Sequence, residues 1–222
     1  MTKPEFDQYA EQYDRILAET IPEGLNEDGY FAEYKIALMA ARLEQPGRIL
    51  DFGCGAGRSL PYLEKYFPNA ELWGYDVSPA SLEVAAQQTP HAKLFSDWSA
   101  LEDIHFDAIV AANVFHHIPP EQRCAALNLC QLALKEHGQM FLFEHNPYNP
   151  ATRWIFERCP FDADAEMFSL KTALILAKQA GFSSEKHGYT LFFPRPLAFL
   201  RGLEPLLKHM PLGAQYYVQM AK

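Results

Sequence analysis

Asp51-Phe52-Gly53-Cys54-Gly55-Ala56-Gly57 stands between a short apolar run and a segment with helical spacing. Glycines at alternate positions let a chain turn tightly and approach a ligand with no Cβ in the way. A helix that starts just after such a loop offers unpaired N–H groups, which suit a carboxylate. Asp76 closes the next apolar run, Leu72 to Tyr75. An acidic side chain there can accept hydrogen bonds from ribose hydroxyls, because open α/β sheets bind ligands at the carboxyl ends of their strands. Asp97-Trp98, Asn113 and Glu144 end later apolar runs and fall on the same rim.

Three histidines share that rim. His116 and His117 follow the fourth run, and His145 follows the fifth. Imidazole suits proton transfer near neutral pH, so all three are candidate general bases, with His117 preferred over His116. Asn146 and Tyr148 lie beside Pro147 and Pro150, whose rings stiffen the backbone. With Arg153 they form a candidate acceptor-binding set, to which Arg158 and Asp162 add charge. Tyr9 and Tyr13, and Tyr34 with Lys35, are further rim candidates from the N-terminal helices. Glu144, Asn146 and Asp162 offer oxygen ligands, but their spacing compels no metal site, and none is expected.

Short apolar runs alternate with helical periods, which predicts βαβ units and a parallel sheet. Strands are expected over 48–52, 72–75, 93–95, 108–112 and 139–143, then 189–193 and 215–220. The fourth, apolar throughout, belongs at the sheet's centre. Helices are expected over 6–18, 31–43, 59–66, 79–87, 120–134, 152–158 and 164–180. Ser78 is a fitting N-cap and Gly181 a fitting C′ residue. The spacing predicts one domain, 1–222. It divides into an N-terminal helical cap (1–45), a ligand-binding core (46–145), and an acceptor-side insert with the final strands (146–222).

The glycine motif with Asp51 resembles that of class I S-adenosylmethionine-dependent methyltransferases. Within that resemblance Asp76 is the ribose-binding carboxylate and Val77 the apolar residue that packs on adenine. Asp97 meets the adenine amino group beside Trp98. The segment Ala111 to Ile118, with Asn113, matches the family's segment after the fourth strand. The resemblance covers roughly residues 45–145. It implies S-adenosylmethionine as cofactor, with Cys54 in the loop, Arg58 near the methionine carboxylate, and Tyr13 folded over the sulfonium. It also implies a Rossmann-like, doubly wound α/β fold. The sheet has seven strands, mostly parallel with one antiparallel strand near the edge, plus the helical cap. The nicotinamide fingerprint G-x-G-x-x-G fits less well, since Arg58 or Leu60 occupies the place of its last glycine.

Bulk properties narrow the partners. The 222 residues carry 19 Lys and Arg against 28 Asp and Glu, a net charge of −9. That argues against a sequence-independent grip on nucleic acid, which needs clustered cations. Cys54, Cys124, Cys130 and Cys159 form no CxxC pair, which suits reduced thiols in a cytoplasmic protein. No apolar run reaches the ~18 residues of a membrane span. Leu197 to Met210, apolar and basic, reads as a lid, with peripheral membrane contact as the other possibility. The expected activity is methyl transfer to a small-molecule or glycan-type acceptor, on oxygen before nitrogen. A non-catalytic cofactor-binding module and a methyltransferase acting on a protein are the alternatives.

Overall fold

The computed structural model describes residues 29–222. The helix expected over 6–18, with Tyr9 and Tyr13, lies outside the described residues. A seven-stranded sheet runs in the order β3-β2-β1-β4-β5-β7-β6. Its strands are β1 (Arg48–Phe52), β2 (Glu71–Tyr75), β3 (Lys93–Phe95), β4 (Phe106–Ala112), β5 (Leu134–His145), β6 (Ser184–Thr190) and β7 (Gln215–Ala221). β1 pairs in parallel with β2 and β4, and β4 with β5; β7 runs antiparallel to both β5 and β6. The antiparallel strand therefore lies one place in from the edge.

The apolar run of β4 places it at the centre, and Ala108, Ile109, Val110 and Ala111 are wholly buried. Alternate residues feed two cores. Ile109 and Ala111 join Phe106, Leu142 and Tyr216 on one face; Ala108 and Val110 join Phe141 and Phe143 on the other. Helices α4 (Pro120–Ala133) and α6 (Leu170–Gln179) cover the first face. Helices α1 (Tyr30–Ala40) and α2 (Leu60–Tyr66) cover the second. Covering both faces is what a largely parallel sheet requires.

Side-chain caps set several helix starts. Ser78 accepts from Ser81 N at the head of α3 (Pro79–Gln88), and Asn149 from Thr152 N at the head of α5 (Pro150–Phe156). Ser169 caps α6 in the same way and delays its start to Leu170, six residues after the expected Asp164. Gly181, at φ +95°, closes it as expected. β6 ends at Thr190 rather than continuing to Phe193. The backbone turns at Leu191 (φ 60°), and the Glu204 carboxylate accepts the N–H groups of Leu191, Phe192 and Phe193.

Residues 197–210 form a 3-10 stretch, Arg195–Leu203, followed by the short α7 (Glu204–Leu207). The buried Glu204 and an Arg201 guanidinium 3.8 Å over the Tyr30 ring tie this segment down, while Phe199 and Leu206 each stay 80% exposed. Among the described residues no helix is long and apolar enough to cross a membrane.

Candidate active site

The carboxyl ends of β1, β2, β4 and β5 open into one cavity of about 760 Å³. The glycine loop forms one wall. Gly53 N and Cys54 N donate to Tyr75 O, which straps the loop to β2. Gly53 needs its φ of +74°, and a Cβ there would lie 2.5 Å from the Val114 methyls. Gly55 (φ +51°) has open space where its Cβ would be, on the cavity side. Gly57 works differently. A Cβ there would meet the Ala85 Cβ at 2.9 Å, so its role is close packing on α3, and it does not line the cavity.

Asp76 accepts from Gly55 N at 2.8 Å through Oδ2 and from Ser78 N at 2.9 Å through Oδ1. Its carboxylate thus fixes the loop and faces the cavity, together with Val77, Trp98 and Arg58. Asp97 does not line it. It is exposed and caps the next turn by accepting from Ser99 N. The position expected to reach an adenine amino group is therefore spent on a local turn.

Three residues that line the cavity carry a buried polar atom with no hydrogen-bond partner among the described residues: Asp51 Oδ2, Asn113 Oδ1 and Gln215 Oε1. Asn113 holds a left-handed backbone (φ 59°), with its N–H donated to Phe143 O. Unsatisfied buried acceptors are costly, so these three suit a ligand that brings donors and positive charge. S-adenosylmethionine, with an ammonium, a sulfonium and ribose hydroxyls, meets that requirement.

Burial pushes Asp51 up to about 7, the Asp76 charge adds to this, and Lys35 opposes it. Burial lowers Lys35 to about 8 against the pull of Glu144 and Asp51. Lys35 is the residue that sequence reasoning most undervalued. It interrupts the otherwise apolar inner face of α1, between Ala32 and Ile36, and that interruption was the available signal.

The opposite wall is a cluster of imidazoles and carboxylates. His116 Nδ1 lies 2.6 Å from Glu144 Oε2, while Glu144 Oε1 accepts from Val114 N and Phe115 N. His116 Nε2 and His117 Nε2 lie 3.4 Å and 3.5 Å from Asp162 Oδ1. The His145 ring is 5.0 Å from that of His116 and packs edge-on against Phe156.

Burial works against charge on His116, but Glu144 and Asp162 outweigh it and hold the imidazolium to about 9. His116, expected among the bases, is thus a charged donor. Burial and the neighbouring His116 lower His117 to about 3 and His145 to about 4, so both are neutral. Burial raises Glu144, but His116 overrides it and takes it down to about 2. Asp162 is likewise lowered despite burial, chiefly through His116.

The proposed acceptor contacts fall elsewhere. The Asn146 amide is buried and donates to Pro211 O and Gly213 O, closing the backbone of a distant turn. Tyr148 is 62% exposed, and Arg153 reaches outward to Glu157 at 3.6 Å. None of the three lines the cavity. Phe156, Cys159, Phe161 and Asp162 line it instead, from α5, the turn Pro160–Asp162 and the Cys159 that caps that turn.

A methyltransferase-domain family model matches residues 50–140. The chain is 27% identical over 199 residues to the demethylmenaquinone methyltransferase of Thermotoga maritima, covering 88% of this chain and 80% of that one. A 48-residue stretch is 46% identical to the trans-aconitate 2-methyltransferase of Methylobacterium radiotolerans, 22% of this chain and 18% of that one. An uncharacterized Synechococcus protein is 35% identical over 98 residues, 40% of this chain and 23% of its own length. The chain thus spans most of the Thermotoga relative but about a fifth of the other two.

Among solved structures, a methyltransferase from Archaeoglobus fulgidus superposes with a TM-score of 0.71 at 14% identity, covering 95% of this chain and all of that one. A possible histamine N-methyltransferase from Thermotoga maritima gives 0.72 at 19% identity, with 98% and 97% covered. At these identities the likeness is one of fold.

Proposed function

This chain is a member of the class I S-adenosylmethionine-dependent methyltransferases, with S-adenosylmethionine as its cofactor, and from that premise we propose that it methylates a small, partly apolar acceptor on oxygen, with His145 receiving the acceptor's proton. The observation that carries this reading is the cavity itself. It joins the glycine loop to a pocket walled by Phe156, Phe161 and Ile155 and floored by imidazoles. Such a concave, largely apolar site suits a small molecule. The relatives named for demethylmenaquinone and trans-aconitate likewise support a small-molecule acceptor.

When bound, S-adenosylmethionine supplies a methyl group on a positively charged sulfur, already a good leaving group. The chain's own work is to align the acceptor, exclude water and take up a proton. Alignment alone can supply about 7–11 kcal/mol. Gly53 and Gly55 hold the donor side, with Asp51, Asp76, Asn113 and Arg58. The aromatic wall holds the acceptor and keeps water out. Neutral His145, buried beside Phe156, has a nitrogen able to receive a proton. An oxygen gaining a methyl group becomes far more acidic than imidazolium, so even a weakly basic imidazole suffices as its proton acceptor.

The test is transfer from labelled S-adenosylmethionine to a panel of hydroxylated and amino small molecules, with sugars and peptides as separate arms. Label in a hydroxylated small molecule is expected, with His145→Ala lowering kcat by about 10²–10⁴-fold and leaving cofactor affinity intact. Label only in amines or sugars would overturn the choice of acceptor. Label only in peptides would favour a protein substrate. Cofactor binding with no transfer in any arm would favour a non-catalytic module.

A further inference from the structure

His116 and His117 sit on the 3-10 turn Phe115–His117 after β4, and Asp162 sits on the turn Pro160–Asp162, far along the chain. The fold brings one donor atom from each to within 4.8 Å of the others. The two imidazole–carboxylate separations, 3.4 Å and 3.5 Å, are long for N–H···O hydrogen bonds, which cluster at roughly 2.7–3.2 Å. They match the edge of a tetrahedron instead. Ligands at about 2.0–2.1 Å from a zinc ion stand roughly 3.3–3.4 Å apart.

A second observation concerns how His116 is held. Its Nδ1 is engaged by Glu144 Oε2 at 2.6 Å, and the other Glu144 oxygen is pinned by two backbone N–H groups. A metal-bound histidine is ordinarily oriented in this way, with its far ring nitrogen given to a carboxylate so that the near one faces the ion. The site is also largely buried, with His117 the most exposed of its members at 23%. His116 and Glu144 are almost wholly buried, and Asp162 is nearly so. Two carboxylates, Glu144 and Asp162, match the charge of a divalent ion.

We propose that His116, His117 and Asp162 bind a divalent transition-metal ion, of which zinc is the best fit, with Glu144 orienting His116 and the fourth coordination position open to the cavity. Two imidazoles and one carboxylate select a first-row transition ion over magnesium or calcium, which prefer all-oxygen sets. Three protein ligands with one open position are the pattern of zinc sites that meet a substrate. His116, His117 and Asp162 all line the cavity. An acceptor oxygen or nitrogen entering it would reach the ion directly.

The test uses the untagged full chain, treated with a chelator and titrated calorimetrically with ZnCl2, CoCl2 and MgCl2. One equivalent of zinc and of cobalt should bind, magnesium should not, and cobalt should give the intense visible absorption of a four-coordinate site. Asp162→Asn and His117→Ala, each verified as folded by circular dichroism, should weaken zinc binding by about 10-fold or more. The proposal is overturned if neither ion binds the folded protein, or if both variants bind zinc as wild type does. These readouts involve no methyl transfer, so their outcome is separate from that of the acceptor assay.

Discussion

Glu144 Oε2 and His116 Nδ1 meet at 2.6 Å beneath the cavity, and both side chains are almost wholly buried. β5 supplies the carboxylate and the turn after β4 supplies the ring, so the pair joins two neighbouring strand ends at the cavity wall. Removing one member of a buried ion pair leaves the other uncompensated, at about 3–5 kcal/mol. Glu144→Gln should lose that much in urea denaturation at neutral pH. A loss under about 1 kcal/mol would show that the pair contributes little.

The same pair sets a pH window. Glu144 is depressed from 4.5 to about 2, so its contribution is whole above 4.5 and is lost as pH falls through 2. His116 is raised from 6.5 to about 9, so its contribution is whole below 6.5 and is lost as pH rises through 9. The pair's stabilisation should therefore be greatest between those unfolded-state values of 4.5 and 6.5 and decline on both sides. Denaturation midpoints across pH, for wild type and Glu144→Gln, test this. A difference between the two that does not change with pH would contradict it.

Asp51 predicts pH-dependent cofactor binding. Its carboxyl is raised from 3.8 to about 7, so it is protonated in the empty site below that value. By itself this group stabilises the fold below pH 3.8, and that stabilisation is lost as pH rises through about 7. A cationic ligand favours the ionised form. Affinity for S-adenosylmethionine should therefore rise between about pH 5.5 and 7.5, with proton release on binding. Asp51→Asn should flatten the profile. Calorimetry in buffers of different ionisation enthalpy would detect the proton, and no release from wild type would refute the assignment.

The glycine loop and the sheet's centre were legible because both signals are local. An apolar run gives a strand, and glycines just after it give a loop that must turn with positive φ. The imidazole cluster was half legible. The histidines lie at strand ends, but Asp162 and Phe161 arrive from a turn whose position depends on α5 and the whole second half of the chain. Asn146 departs from its expected acceptor role for a related reason. A polar residue before a proline looks like recognition, yet its amide is spent on carbonyls 65 and 67 residues away. Ser169, whose side chain caps Thr172 N, starts α6 at Leu170, where helical spacing alone extends it back to Asp164. The role of Lys35 is not legible in the sequence, because helical periodicity does not reveal that a lysine's neighbours are a cavity and two carboxylates.

Gly53 and the exposed residues outside the cavity give opposite expectations. Gly53→Ala requires a strained φ and a Cβ 2.5 Å from Val114. It should cost on the order of 1–3 kcal/mol and weaken cofactor binding. Tyr148→Ala and Arg153→Ala should each stay within about 0.5 kcal/mol of wild type and leave the acceptor KM unchanged. A raised KM in either would return that residue to the acceptor site.

The most direct test of the central claim is calorimetric titration with S-adenosylmethionine, S-adenosylhomocysteine and NAD⁺, on wild type and Asp76→Ala. Asp76 anchors Gly55 N and faces the cavity. Both sulfur ligands should bind wild type, at roughly micromolar affinity or tighter, about −8 kcal/mol. NAD⁺ should not bind, and the Asp76→Ala variant should bind neither sulfur ligand measurably. Binding of NAD⁺ in their place, or of none of the three to folded protein, would contradict the account.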